Sequence, residues 1–243
     1  YHDRRWRGRS AASLVEEVRF LKGKFKIDSL QFLDECFVID RNRVLEFCRL
    51  MREAKTGVRW GVNGRLNCVD EEMLSVMKGS GCTNVDYGLE TGSSRILKSL
   101  KKCITVGRAR QGLEATEKII GHSNIHYTFT MMIGSPGETR ETVEESIRFC
   151  RELGVSPEAV FFTTPFPGTP LYEDARKRGL IRDEEEYLLR LWEMGENLAV
   201  NLTEMPDAEL VALKEHLARE VGARNLTRHD KPIWQQPPGV SRP

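Results

Sequence analysis

Hydrophobic positions follow two alternating periods along the chain, which predicts strands that are each followed by a helix. Short apolar runs typical of strands occupy 27–33, 58–67, 84–89, 125–133 and 158–164. Apolar residues at helical spacing predict helices over 10–22, 40–55, 70–78, 93–100, 106–120, 139–153 and 171–178. Ser10 or Ser13 and Asp40 are candidate helix caps, and Gly179 is a candidate helix end. Strict alternation favours parallel strands, in either a barrel or an open doubly wound sheet.

The last quarter of the chain has a different pattern. Residues 183–229 are charged and helical in periodicity, and the final segment is rich in proline and polar residues. We therefore expect three parts: a core over 1–182, a helical C-terminal extension over 183–230, and a disordered tail over 231–243.

Composition limits the possible cellular location and binding partners of the protein. The 243 residues include 37 Lys plus Arg and 36 Asp plus Glu, a balance that argues against nucleic acid or an acidic membrane as an obligatory partner. There is no apolar run of about 20 residues and no signal peptide, so we expect a cytoplasmic protein with a small-molecule substrate. The six cysteines are widely spaced without a CxxC, which favours reduced, mostly packed thiols over a zinc site or disulfide framework.

Polar side chains follow the predicted strands. If the strands are parallel, these side chains share one rim, where ligands bind in α/β folds. The rim would collect Asp34, Glu35, Asn63, Arg65, Glu90, Thr91, a GSPGET loop at 134–139 and a PFPGTP loop at 165–170. Such a set suits a ligand with an ammonium, a carboxylate, sugar hydroxyls and a flat base.

Each of these features also has a structural interpretation. Asp34 and Thr91 are candidate caps, Arg65 can pair with a helix acid, and the glycines can serve tight turns. Classical dinucleotide and Walker sites are excluded because neither GxGxxG nor GxxxxGK[ST] occurs. Histidine catalysis is not favoured, because only His126 falls on a predicted strand.

Five segments, in order, carry a family resemblance. They are WRGRSAASLVEEVRFL, LQFLDECFVIDRNRVLEFC, WGVNGRLNCVDEEMLSVMKGSGCTNVDYGLETGSSRILKSLKKCIT, MMIGSPGETRETVEESI and TPFPGTPLYEDARKRGLI. Together they resemble a radical S-adenosylmethionine (radical SAM) enzyme, and most closely the branch whose members often carry a cobalamin-binding domain ahead of the radical domain. The resemblance covers residues 6 to about 181.

The resemblance implies a fold and a set of cofactors. The fold is a partial (β/α)6 TIM-like barrel of parallel strands, here without the first strand and the cluster loop. The cofactors are S-adenosylmethionine, a [4Fe-4S] cluster held by a CxxxCxxC loop, and cobalamin in members with the extra domain. With the cluster, such enzymes generate a 5′-deoxyadenosyl radical from S-adenosylmethionine.

Site roles carry over by position in the resemblance. Asp34 and Glu35 stand where the family meets the methionyl ammonium, with Asn63 and Arg65 at the next strand end. Glu90, followed by Thr91, resembles the residue that binds the ribose, and Lys102 the basic residue that faces the carboxylate. The adenine and last-strand positions are Met132, Ile133, Gly134, Glu138 and Pro165.

One departure from the family pattern is large. No CxxxCxxC is present and the chain begins with Tyr1, so we expect a fragment whose cluster cysteines, and any cobalamin domain, precede Tyr1. The sequence therefore predicts no metal ligand and no identifiable catalytic residue here, and a fragment that is inactive alone. The expected parent is a cobalamin-dependent methyltransferase or a related radical cyclase or rearrangement enzyme. Two alternatives stay open: a methylthiotransferase acting on RNA, and a non-catalytic S-adenosylmethionine-binding relic.

Overall fold

Five strands, nine α-helices and a short 3-10 helix at Phe37–Ile39 are present in the described part of the chain. The computed structural model describes residues 6–121, 126–191 and 195–223. The strands are β1 Ser29–Phe32, β2 Arg59–Gly64, β3 Cys82–Glu90, β4 His126–Ile133 and β5 Ala159–Phe162. They follow the order β1-β2-β3-β4-β5, and the pairings of β1 with β2, β2 with β3 and β4 with β5 are parallel. The predicted α/β class with parallel strands is confirmed.

The helices lie where the apolar periodicity predicts them. They are α1 Ala11–Phe25, α2 Arg41–Ala54, α3 Glu71–Lys78, α4 Ser94–Ser99, α5 Val106–Ile120, α6 Arg140–Leu153, α7 Pro170–Lys177, α8 Glu184–Arg190 and α9 Asp207–Glu220. Of the two candidate caps of α1, Ser10 is the N-cap, and its hydroxyl accepts a 3.2 Å hydrogen bond from the Ser13 amide. Asp40 caps α2 as predicted. Gly179, with φ +70°, follows the last turn of α7, where glycine relieves the left-handed strain.

Two strand predictions have the wrong bounds for a physical reason. The strand predicted over 58–67 ends at Gly64, because the next residues form a turn in which the Cys68 amide donates to the Arg65 carbonyl at 2.9 Å. The strand predicted from residue 84 begins at Cys82. A register shift opposite Trp60 and Gly61 leaves Thr83 without a partner, so the period-two pattern is interrupted there.

The helical prediction over 183–229 is wrong in its middle part. Residues 195–206 lie between α8 and α9 without regular structure. Gly195 adopts φ +81°, and its carbonyl accepts a 2.7 Å hydrogen bond from the Phe162 amide at the end of β5. Tertiary contact therefore overrides local helical propensity. The predicted tail at 231–243, the end of the predicted extension from 224 onward, and the first residue of the strand predicted over 125–133 lie outside the described residues.

The described residues form two compact units, each with its own apolar core. The first holds the chain up to Leu89 together with Ile104–Thr128, and the second holds Glu90–Cys103 and the chain from Phe129 onward. In the first, the rings of Phe37 and Trp60 pack edge-on against Phe47, with centroids 5.5 and 5.1 Å away. The sequence-based division at residues 182 and 230 stays a prediction.

The core of the second unit includes the C-terminal part of the chain. Tyr172 and Tyr187 pack together with Ala175, Val200 and Leu202 in one buried cluster. Helix α9 packs against β5 and α6. In the described residues, no helix is both long enough and apolar enough to cross a membrane.

Candidate functional site

The end of β3 places a carboxylate and an ammonium together. Glu90 is the last residue of β3 and forms an ion pair with Lys102. Their side chains are 13% and 25% exposed, so the pair is sheltered but reachable. Glu90 has φ +69°, a left-handed conformation that costs a non-glycine residue about 1–2 kcal/mol. Strain of this kind is retained where the surrounding structure enforces it, most often at ligand sites.

Residues 91–93 turn the chain away from β3 and fix the position of Glu90. Thr91 is buried, and its hydroxyl lies 2.9 Å from the Ser146 hydroxyl of α6 and accepts a 3.1 Å bond from the Ser93 amide. The Gly92 amide also donates to Ser146, at 2.9 Å. A Cβ at Gly92 would lie 2.7 Å from the Phe149 Cβ, so a side chain has no room there. The predicted Thr91 hydroxyl is therefore used inside the fold, where it positions the turn.

The turn after β4 is held by hydrogen bonds from its backbone amides to a glutamate side chain. Gly134 has φ +89°, and its amide donates to Glu138 Oε2 at 2.6 Å. The Ser135 amide donates to the same oxygen at 3.0 Å. Glu138 is only 3% exposed, so its carboxyl group holds the turn closed from inside. Its predicted part in ligand binding would thus act through the backbone of Gly134.

Burial changes the acidity of this carboxyl group. Desolvation raises the pKa of Glu138 to about 7, although the bonds from the Ser135 and Gly134 amides and the charge of Arg95 act in the opposite direction. The neutral form is favoured because two neutral donors do not replace the lost hydration of a carboxylate.

Side chains of α4 tie the β3 end to the β4 turn. Arg95 Nη2 donates to the Thr139 hydroxyl at 2.8 Å, and the Ser99 hydroxyl donates to the Pro136 carbonyl at 2.9 Å. On the far side of the turn, the Ser135 and Thr163 hydroxyls lie 2.8 Å apart. The helix that follows Glu90 therefore holds the GSPGET loop in a fixed position.

The other predicted site residues of the second unit differ in solvent exposure. Ile133 is fully buried, whereas Met132, one residue earlier on β4, is half-buried, so the strand alternation leaves Met132 the more accessible of the two side chains. Pro165 lies on the loop after β5, and its carbonyl accepts a 2.6 Å hydrogen bond from the Tyr187 hydroxyl of α8. The C-terminal part of the chain thereby stabilises the last-strand loop.

In the first unit, the strand ends bring together two of the four predicted residues. The Asn63 amide group donates to the Asp34 backbone carbonyl at 3.1 Å. The Asp34 carboxylate lies 4.0 Å from the Arg43 guanidinium. Glu35 is exposed in the turn after β1, and Arg65 directly follows β2.

Arg43 is a residue of this region that sequence reasoning missed. Its side chain is 7% exposed, and its guanidinium donates to the carbonyls of Arg9 at 2.8 Å and Phe37 at 3.2 Å. It also lies 4.7 Å from the centroid of the Phe37 ring. Arg43 therefore holds the N-terminal basic segment on the turn after β1. An arginine next to the apolar stripe of the predicted helix 40–55 was the available signal.

The cysteines do not form a metal centre in the described residues. None of the six forms a disulfide, and three of them, Cys48, Cys82 and Cys150, are buried. Burial raises the pKa of Cys48 to about 11 and that of Cys150 to about 12, so these thiols are protonated and poor ligands. Within the described ranges, no three His, Cys, Asp or Glu side chains are placed to hold a metal ion.

Comparison with known proteins decides the family. The model of the radical SAM superfamily matches residues 1–150. This chain belongs to the radical SAM superfamily. The predicted family is therefore confirmed, and with it the assignment of the chain to a family of enzymes.

Three similar proteins refine this placement. An uncharacterized methyltransferase of Pyrococcus horikoshii is 31% identical over 178 residues, which are 73% of this chain and 38% of the relative. The cytidylyl-2-hydroxyethylphosphonate methyltransferase of Streptomyces wedmorensis is 27% identical over 224 residues, 90% of this chain and 41% of the relative. The chain thus spans about two fifths of the length of these relatives.

A solved structure shares the fold. The radical SAM methyltransferase TsrM from Kitasatospora setae, solved with cobalamin and a [4Fe-4S] cluster bound, matches with a TM-score of 0.59 and 21% identity. The match covers 71% of this chain and 32% of TsrM. The likeness concerns the fold alone, and it agrees with the parallel-stranded barrel expected for a radical SAM chain.

The residues of the radical SAM chain fit one implied cofactor and not another. The sheltered but reachable Glu90–Lys102 pair supplies an acceptor and a cationic donor, which suit the hydroxyl and carboxylate groups of S-adenosylmethionine. The thiols do not fit a [4Fe-4S] cluster, because in the described residues no three cysteines are grouped. The individual site assignments, and the position of the cluster ligands before Tyr1, stay predictions.

Proposed function

We propose that this chain is the S-adenosylmethionine-binding part of a cobalamin-dependent radical SAM methyltransferase. The observation that carries the proposal is the Glu90–Lys102 ion pair at the end of β3, formed by a glutamate in a left-handed conformation. In the full enzyme, S-adenosylmethionine with a [4Fe-4S] cluster would supply a 5′-deoxyadenosyl radical, and cobalamin would carry the methyl group. The methyl-transfer reaction is supported by the two methyltransferase relatives.

Each residue of the proposed site has a role that follows from its position. The Glu90 carboxylate would accept hydrogen bonds from the ribose hydroxyls, and Lys102 would orient Glu90 and attract the ligand carboxylate. The backbone of Gly134, which carries no side chain, would border the adenine ring. Met132 would cover the ring with an apolar, polarisable surface. Asp34, Glu35, Asn63 and Arg65 belong to the first unit, and their part in binding stays a prediction from the sequence.

The test uses the full-length protein with its cluster reconstituted. Glu90→Gln keeps the shape of the side chain but removes the charge that binds hydroxyl groups. We expect the Kd for S-adenosylmethionine, measured by calorimetry, to rise at least tenfold, since a charge-assisted hydrogen bond contributes about 1.5–3 kcal/mol. Glu53→Gln, which removes an exposed carboxylate paired with Arg49, is the matched control and should leave the Kd unchanged. Equal affinity of Glu90→Gln and the unchanged protein would refute the assigned site.

Product analysis separates the reaction classes. If the proposal is right, we expect methylated product to form only when cobalamin is supplied. Cobalamin-independent turnover with RNA would favour the methylthiotransferase alternative, and binding without turnover would favour the non-catalytic one. A cytoplasmic setting and the absence of a nucleic-acid partner are part of the same proposal.

A further inference from the structure

The first unit carries a polar face on the middle of its sheet. Along β3, Val85, Tyr87 and Leu89 are buried apolar residues, and the intervening positions Asn84 and Asp86 are polar. Successive side chains of a strand point to opposite faces, so Asn84 and Asp86 share the face opposite the apolar one. None of the strand-end residues predicted from the sequence belongs to this pair.

Asp86 is bonded to neutral donors alone. Its Oδ2 accepts a 2.7 Å hydrogen bond from Asn84 Nδ2, and its Oδ1 accepts a 2.5 Å bond from the Thr128 hydroxyl of β4. Among the described residues, no lysine, arginine or histidine forms an ion pair with this carboxylate. Each carboxylate oxygen can accept a second hydrogen bond. The negative charge of Asp86 therefore lacks a positive partner in this part of the chain.

Asn84 supplies a buried acceptor without a donor. The residue is 5% exposed, and its Oδ1 has no hydrogen-bond partner among the described residues. The orientation of the amide group is fixed, because Nδ2 is the atom that donates to Asp86. Buried polar atoms in folded proteins are almost always bonded, so an unbonded oxygen points to a missing donor.

The neighbouring strands add one more acceptor beside Asn84. Gly61 of β2 pairs in register with Gln31 of β1 and with Asn84 of β3. A Cβ at Gly61 would lie 2.0 Å from Gln31 Oε1 and 3.1 Å from the Asn84 Cβ. Because Gly61 has no side chain, the side-chain oxygen Oε1 of Gln31 lies over β2 beside Asn84.

We propose that Asn84, Asp86 and Gln31 bind a positively charged nitrogen group, such as a primary ammonium or an amidinium, of a small-molecule ligand. The site offers acceptors and a negative charge, and such a group offers several N–H donors and a positive charge. The group would satisfy Asn84 Oδ1 and neutralise Asp86 in one step. Its assignment to the methyl-accepting substrate rests on the proposed function, whereas the binding itself does not.

The experiment measures binding to the full chain in the absence of S-adenosylmethionine and cluster, so it can be interpreted even if the proposed function fails. Ethylammonium chloride, ethanol and sodium acetate are titrated separately, and the backbone and Asn side-chain amide signals are followed by NMR. We expect saturable binding of ethylammonium alone, with a Kd on the order of millimolar for so small a probe. Shifts should be centred on the Asn84 side-chain amide. Equal responses to all three solutes, or no saturation, would mean a recess that holds only water and would overturn the proposal.

Variants assign the binding to the residues. Asp86→Asn keeps the shape of the side chain and should weaken ethylammonium binding at least tenfold. Asp28→Asn, which removes an exposed carboxylate of the same unit that is paired with Lys22, should leave it unchanged. If Asp86→Asn does not fold, Thr128→Val provides the second test, since it removes a neutral donor and keeps the charge. It should bind ethylammonium at least as tightly as the unchanged protein, and a loss of binding would contradict the role given to the Asp86 charge.

Discussion

The two turns that follow β3 and β4 are built in opposite ways. At the end of β3, a glutamate adopts a left-handed conformation and directs a charged side chain to a partly exposed lysine. At the end of β4, a glycine adopts the left-handed conformation, and the glutamate four residues later is buried and bonded to two backbone amides. The first turn therefore keeps a strained residue whose side chain stays partly exposed, and the second avoids strain and binds its backbone amides to a buried side chain. The same residue type forms a partly exposed ion pair in one turn and a buried structural contact in the other.

The largest effect on stability is expected at the buried glutamate. Glu138→Ala leaves the amides of Gly134 and Ser135 buried without an acceptor, and each such group costs about 1–3 kcal/mol. We therefore expect the free energy of unfolding, measured by urea denaturation at pH 6, to fall by about 2–5 kcal/mol. The α4 contacts to Pro136 and Thr139 should loosen at the same time, because they depend on the shape of this turn.

Glu138→Gln is the matched control for this variant. Its amide oxygen can still accept from both backbone amides, so at pH 6 the stability should change by less than about 1 kcal/mol. A loss as large as that of Glu138→Ala would show that the charge of the carboxyl group, rather than its acceptor oxygen, holds the turn.

The next largest effect is a pH dependence of the same group. The pKa of Glu138 is raised to about 7 in the folded protein, from an ordinary value of 4.5. Between these two values the folded protein binds more protons than the unfolded chain, so the free energy of unfolding falls as the pH rises from 4.5 to 7. The fall due to this group is on the order of 3 kcal/mol, at 1.36 kcal/mol for each unit of pKa. The difference in stability between the unchanged protein and Glu138→Gln, measured from pH 4.5 to 8, isolates it, and a difference independent of pH would contradict it.

Much of this arrangement was readable in the sequence, and the rest depends on distant contacts. The alternation of strands and helices and the positions of Glu90 and Gly134 at strand ends follow from local periodicity, which a single chain displays directly. The use of the Thr91 hydroxyl inside the fold does not, because its partner Ser146 lies 55 residues away on α6. The burial of Glu138 could not be predicted for the same reason. A glutamate in a glycine-rich loop is expected to be exposed, and only the tertiary packing shows that it is buried. The irregular segment between α8 and α9 escaped prediction because a backbone contact with β5, rather than composition, sets it.

The smallest effect is expected from relieving the strain at β3. Lys101 and Glu90 both have left-handed φ values, +51° and +69°, but only Glu90 belongs to the ion pair with Lys102. Replacing either by glycine removes about 1–2 kcal/mol of strain from the folded state. It also stabilises the unfolded chain by about 0.4–1 kcal/mol, through its greater conformational entropy, which offsets part of the gain. Lys101→Gly should therefore stabilise the protein by about 0.5–1 kcal/mol.

Glu90→Gly gains the same relief and loses the ion pair with Lys102, which at its partial exposure contributes about 0.5–1 kcal/mol. Its stability should thus stay close to that of the unchanged protein, while S-adenosylmethionine binding is lost. Thermal unfolding of the two variants measures the comparison directly. If Glu90→Gly is stabilised more than Lys101→Gly, the ion pair opposes folding, and the strained glutamate is held in place by the turn at residues 91–93 alone. If the two variants have equal stability, the Glu90–Lys102 ion pair contributes nothing to the stability of the fold. Ligand binding is then the sole benefit that offsets the strain.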